Sequence, residues 1–236
     1  MPSVAFRPRA YLRVSGPDAE DFLQRMVSND VAAHEHCEAL LLTPKARIIA
    51  PLRIVRRARD DFLVLTEPEL GDVVRTQLTR ARFAAKVDIE TEHHESWVVL
   101  GEGEVLDERP TGDEASDEDA ERWRIESRIP RWGSELDDSI LPAEAGLDET
   151  HISFTKGCYP GQEPIARQHY RGKVNRRLRV LELTGGAQAG DDLTYGDKTV
   201  GRITSAANGV GLGYVRTEVP DDAALTTPRG RASIRR

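Results

Sequence analysis

Residues 10–15 (Ala-Tyr-Leu-Arg-Val-Ser) alternate between apolar and polar, which predicts a strand. Gly16-Pro17-Asp18 then opens a helix. Ala19, Phe22, Leu23, Met26 and Val27 recur at the spacing of one helical face, with a stop expected near Asn29-Asp30. Runs rich in Leu, Ile and Val predict strands at about 38–43, 46–57 and 61–66. Pro68 suits the first turn of a second helix, with Leu70, Val73, Val74 and Leu78 on one side. Further strands are expected at about 86–91 and 96–100. Strands grouped around two helices point to an α+β layer.

The pattern then changes. Residues 102–121 hold ten acidic residues and one basic residue, Arg109, together with Pro110, Gly112 and Ser116. That composition predicts a solvated, mobile loop or linker. Residues 122–150 read as strand, turn and short helix. A helix is expected to start near Gly161, tolerate Pro164 in its first turn and end at Gly172. Beyond residue 176, short apolar stretches are punctuated by Gly185-Gly186, Gly190-Asp191, Gly196-Asp197, Asn208-Gly209 and Pro220-Asp221, which predicts a small β-barrel. Arg229 to Arg236 reads as a frayed tail. The expected regions are therefore 1–101 (α+β), 102–121 (acidic linker), 122–175 (middle region) and 176–236 (barrel and basic tail).

Charge and composition narrow the function classes. At 39% hydrophobic and 31% charged residues the chain reads as a soluble globular protein. A net charge of −7 argues against a general nucleic-acid binder. No apolar run approaches the roughly 20 residues that span a bilayer, and the amino-terminal residues lack an apolar signal core. Two cysteines, Cys37 and Cys158, make no disulfide framework. No membrane partner and a reducing, cytoplasmic location are the expectation. His34-Glu-His-Cys37 lacks a second ligand pair at zinc-like spacing, so no metal site is expected there. Trp97, Trp123 and Trp132 read as packing residues.

The densest chemistry lies in Thr155-Lys-Gly-Cys-Tyr-Pro-Gly-Gln-Glu-Pro-Ile-Ala-Arg167. Two glycines bracket a thiol and an aromatic ring, with Lys156, Gln162, Glu163 and Arg167 around them. Such a segment serves either as a rigid turn between domains or as a loop that meets a ligand. Lys156 and the helix that follows are positioned to lower the pKa of Cys158, which would make it a reactive thiol; the alternative is a small buried residue. Residues 156–179 also carry Lys156, Arg167, Arg171, Lys173, Arg176, Arg177 and Arg179 against Glu163 alone. That surplus fits an ordinary exposed helix face, a chain of ligand carboxylates, or phosphates.

Lys156-Gly-Cys-Tyr-Pro-Gly-Gln-Glu163 closely resembles the signature of the YgfZ folate-binding proteins, relatives of the glycine cleavage T-protein that include mitochondrial iron–sulfur assembly factors. Asp21 to Val31, Arg124 to Pro130, Trp132 to Leu136, Leu141 to Gly146, Val200 to Ser205 and Gly211 to Val215 resemble further family segments in the expected order. The resemblance implies ferredoxin-like α/β layers of the GcvT/YgfZ type around a central opening, with a C-terminal β-barrel. It implies binding of tetrahydrofolate or a one-carbon derivative, in support of iron–sulfur proteins or their assembly factors. It sets Glu126 against the pterin, where a carboxylate can accept from two adjacent N–H groups; otherwise Glu126 reads as a strand-end ion pair with Arg124 or Arg128. Lys156, Tyr159, Gln162, Glu163, Arg167 and Arg171 join it as expected ligand-binding residues, with the basic stretch meeting a polyglutamate tail. Cys158 is the expected reactive or ligating thiol.

One departure bears on activity. T-proteins carry paired aspartates in an early strand, and the resemblance sets Ala50 and Pro51 at those positions. Neither side chain carries a proton, which argues against folate-dependent aminomethyl transfer. A tRNA-associated adaptor is a further alternative, since family members have been linked to tRNA modification.

Overall fold

The computed structural model describes residues 1–235. The chain starts with β1 (Ser3–Phe6), β2 (Ala10–Ser15), α1 (Ala19–Met26), β3 (His36–Leu42), β4 (Ile48–Ala58), β5 (Asp61–Thr66), α2 (Gly71–Ala81) and β6 (Asp88–Glu92). Five of these strands form an antiparallel sheet in the order β3-β4-β5-β2-β6. Alternation along β3 explains its continuous apolar run. Ala39 and Leu41 join the core under α1 and α2, whereas Leu40 and Leu42 face the rest of the molecule. A strand buried on both faces has no polar face to reveal.

The second sheet joins distant segments: β1, β7 (Ser96–Val99), β8 (Gly103–Leu106) and β9 (Asp113–Glu114), in the order β8-β7-β1-β9. Helix α3 (Asp117–Glu126) follows, opened by the Ser116 hydroxyl accepting from the Asp119 N–H. The acidic stretch is therefore not a free linker. Residues 103–106 and 113–114 are strands, and the stretch from residue 117 onward is helix. Residues 122–126 likewise belong to α3 rather than to a strand, and α1 ends at Met26, short of Asn29.

The short α4 (Pro142–Ala145) and α5 (Gln162–Arg171) lead into the C-terminal strands β10 (Arg176–Thr184), β11 (Asp192–Tyr195), β12 (Lys198–Ala207), β13 (Val210–Arg216), β14 (Ala224–Thr226) and β15 (Arg231–Ile234). They close a barrel in the order β10-β13-β12-β11-β14-β15. Leu181, Leu193, Ile203 and Leu225 fill its interior. The expected frayed tail is in fact the closing strand: Ala232 and Ile234 point inward and are buried, while Leu181 to Thr184 supply the ladder. Among the described residues no helix is long and apolar enough to cross a membrane.

A buried ion pair fastens α3 to the barrel. Glu135, 1% exposed, accepts from Arg124 at 2.9 Å and from the Ser205 hydroxyl at 2.5 Å. Its backbone carbonyl accepts from the Tyr214 hydroxyl at 2.8 Å.

Candidate functional site

The first sheet, β8, α3 and α4 meet around a central cavity of about 670 Å³, within the usual range for small-molecule sites. Its wall includes Pro51 and Arg53 from β4, Glu104 from β8, and Glu126 and Arg128 at the end of α3. Glu126, singled out in the sequence, lies in this wall, whereas the arginine-rich side was not expected. Arg9 donates through Nε and Nη2 to the two Glu104 oxygens, each at 2.9 Å. Arg7 and Arg53 lie 3.6 and 3.5 Å from the same carboxylate. Burial alone would raise the Glu104 pKa, but hydrogen bonds and charge from Arg9 and Arg7 outweigh it and hold the group at about 2. Arg53 Nε is buried with no hydrogen-bond partner among the described residues. His151, also in the wall, is held neutral by burial, with its pKa lowered to about 4.

Glu126 stands at the cavity rim. It is on a helix, not at a strand end, and its partners are Arg122 and Arg235 rather than Arg124 or Arg128. All its hydrogen bonds from these arginines go to Oε1, at 2.9–3.3 Å. Among the described residues Oε2 has no such partner, so it can accept from a ligand. The chain leaves α3 by a left-handed turn at Arg128 (φ 53°). The N–H groups of Arg128 and Ile129 donate to the carbonyls of Ile125 and Arg124 at 3.0 Å. That pairing is the Schellman arrangement, with arginine where glycine is usual.

The signature segment lies elsewhere. None of Lys156, Cys158, Tyr159, Gln162, Glu163, Arg167 or Arg171 lines the central cavity. Lys156 is buried, and its ammonium donates to the carbonyls of Val27 and Asn29, both at 2.8 Å. It is not an exposed cation beside the thiol, nor available to an acidic tail. Burial lowers its pKa to about 8, partly opposed by Asp30 and Cys37. Ser28 and Asn29 extend the same joint. The Ser28 hydroxyl donates to the His151 carbonyl at 2.6 Å, and the Asn29 amide donates to the carbonyls of Glu38 and Thr150 at 2.7 and 3.1 Å.

Tyr159 is buried under this joint, its hydroxyl unpartnered among the described residues and its pKa pushed up to about 12 by burial. Cys158 is exposed. Cys37 is buried, with its thiol pushed up to about 11 chiefly by burial. The two signature glycines differ. Gly161 (φ +84°) packs on the β3–β4 turn, where an added Cβ would lie 2.7 Å from the Thr43 carbonyl oxygen. An added Cβ on Gly157 would meet nothing within 4 Å.

Of the basic residues, Arg176 pairs with Glu144 and Arg179 with Asp221. Gln162, Glu163, Arg167 and Arg171 lie on α5.

Residues 175–235 match the family described as "CAF17, C-terminal beta-barrel domain". The "tRNA-modifying protein YgfZ" of Edwardsiella ictaluri is 29% identical over 75% of this chain and 69% of its own. The mitochondrial iron–sulfur cluster assembly factor of Mus musculus is 31% identical over 46% of this chain, but this match spans 33% of the mouse protein. The glycine cleavage system aminomethyltransferase T of Bartonella henselae superposes with a TM-score of 0.81 at 17% identity, covering 98% of this chain and 83% of that one. The chain has the GcvT-like fold, and these likenesses support a YgfZ-type protein. Of the two positions that the resemblance sets against the paired aspartates, Ala50 is buried beneath the helices and Pro51 lines the cavity.

Proposed function

We propose that the central cavity binds a reduced folate, tetrahydrofolate or a one-carbon derivative, and that the protein supports iron–sulfur cluster assembly or repair. The observation that carries the folate reading is the unpartnered Oε2 of Glu126 at the rim of a cavity of about 670 Å³. A pterin edge supplies the donors this oxygen lacks. The orphaned Arg53 Nε adds a donor for a ligand oxygen. Bound folate would supply a one-carbon carrier; the residues here orient and hold it. The iron–sulfur role is supported by the mouse relative's name, and tRNA modification by that of the Edwardsiella relative.

Cys158 is exposed and outside the cavity lining, so we assign its thiol to a partner protein, as a reactive or ligating group. The open space at Gly157 leaves room for that approach. Aminomethyl transfer is the weaker reading, because Pro51 faces the cavity without a proton-carrying group. Lys156 is turned inward, and Arg167 and Arg171 lie outside the cavity lining, so nothing in this cavity's wall calls for a polyglutamate tail.

Calorimetric titration with mono- and polyglutamyl tetrahydrofolate tests the site. Saturable binding should weaken about tenfold in Glu126→Gln, the loss of roughly one charge-assisted hydrogen bond. No binding of either form by the wild type would overturn the folate assignment.

A further inference from the structure

A second cavity, of about 590 Å³, lies against the C-terminal half of α5, and the folate reading does not use it. Phe154 and His169 line it as a stacked pair, with ring centroids 4.0 Å apart and planes 27° from parallel. Tyr170 stands edge-on to His169 at 4.9 Å and is 70% exposed, so the aromatic surface continues outside the cavity. Lys173 and Arg177 line the same cavity, and Arg167 and Arg171 lie on α5 outside its lining. None of these four cations has a salt-bridge partner among the described residues, unlike Arg176 and Arg179 nearby. In a chain of net charge −7, unpaired cations gathered around exposed rings mark a surface for a ligand that is planar and anionic.

We propose that this cavity is a nucleotide site. A base stacks on the Phe154–His169 pair, and its phosphate lies between Lys173 and Arg177. Asp148 and Glu149, also in the lining, accept hydrogen bonds from the base edge or ribose hydroxyls rather than meet the phosphate. Tyr170, Arg171 and Arg167 lie outside the cavity lining and suit the next units of a single strand. The expected natural ligand is therefore single-stranded RNA, with free mononucleotide as the other source of the same chemistry. The site does not depend on the folate reading, since Glu126 is not part of its lining.

Fluorescence anisotropy with a labelled ten-nucleotide uridine strand, and competition by AMP, test this. Phe154 packs against the core, so its loss could unfold the protein; the exposed His169 is the better probe. His169→Ala should weaken strand binding roughly tenfold, the effect of losing one stacked base. The Lys173→Ala, Arg177→Ala pair should lower the slope of log K against log salt by about 1.4, for two phosphates released. Competition by AMP that fails in His169→Ala would show a general nucleotide site, and strand binding without AMP competition a site for RNA; both support the proposal. Glu126→Gln should bind the strand as the wild type does. Binding of neither probe, or strand binding unmoved by both α5-side variants, would overturn it.

Discussion

Replacing Lys156 with methionine separates a structural role from a functional one. The ammonium sits among buried groups and donates two bonds of 2.8 Å to the carbonyls of Val27 and Asn29. Hydrogen bonds from a charged donor contribute about 1.5–3 kcal/mol each. Desolvation works against them: burial lowers the Lys156 pKa from 10.5 to about 8. A shift of that size corresponds to at most about 3 kcal/mol, and residual contact with water reduces it to about 1–2. Lys156→Met should therefore cost about 1–3 kcal/mol at pH 7, because two carbonyls lose their donor while one costly charge is removed.

The pH dependence carries the sign. Between pH 8 and 10.5 the folded protein holds fewer protons on Lys156 than the unfolded chain does. The wild type thus gains stability relative to Lys156→Met as pH rises through that window, since the neutral amine still donates. Cys37 runs the other way, because its raised pKa of about 11 loses stability between pH 9 and 11. It is present in both proteins and largely cancels in the difference. Urea unfolding at pH 7, 8.5 and 10, followed by tryptophan fluorescence, should show the gap widening by about 1–2 kcal/mol. A gap that stays flat or narrows would refute the burial argument.

Arg128→Gly should raise the melting temperature by about 1–2 °C. It relieves about 1 kcal/mol of left-handed strain, and the entropy a glycine adds to the unfolded chain offsets roughly half of that. Gly161→Ala should destabilise by about 2 kcal/mol or more, through positive φ and contact with Thr43, whereas Gly157→Ala should stay within about 0.5 kcal/mol in the same denaturant titration. Glu135→Ala should cost about 2–3 kcal/mol, because Arg124, Ser205 and the Arg131 N–H lose a buried acceptor although Arg124 keeps Glu121, and calorimetric melting would register the loss.

Elements whose information is local were legible in the sequence. The first helix face, the three strands after it and the glycine-punctuated barrel follow from periodicity and turn chemistry. Where long-range pairing decides, the reading failed. Glu104 looked like one more acid in a solvated stretch, yet it is the buried counter-ion of Arg9, 95 residues away. The final strand reads as a basic tail because its arginines face out, and only its pairing with β10 gives Ala232 and Ile234 an interior to face. Lys156 misled for the same reason. Its neighbour in sequence is Cys158, but its neighbours in space are the carbonyls of Val27 and Asn29.

The cavity carboxylates differ in what they can do, and this bears on whether the site does more than bind. Arginines hold both Glu104 and Glu126 below the ordinary carboxylate range, which suits fixed hydrogen-bond acceptors. Glu38 on β3, opposite Arg53 on β4, is pushed the other way by burial, which outweighs the opposing charge of Arg53. As pH falls, a proton taken up in this wall therefore goes to Glu38 before it goes to Glu126, and Pro51 offers none. If so, Glu38→Gln should flatten the acid side of a pH profile of folate binding while leaving neutral-pH affinity within about twofold, as expected where no direct ligand bond is lost. Glu126→Gln should instead lower affinity at every pH. A profile that Glu38→Gln leaves unchanged would make the cavity wall a set of fixed charges, and the chemistry of this protein would then rest with the exposed thiol of Cys158.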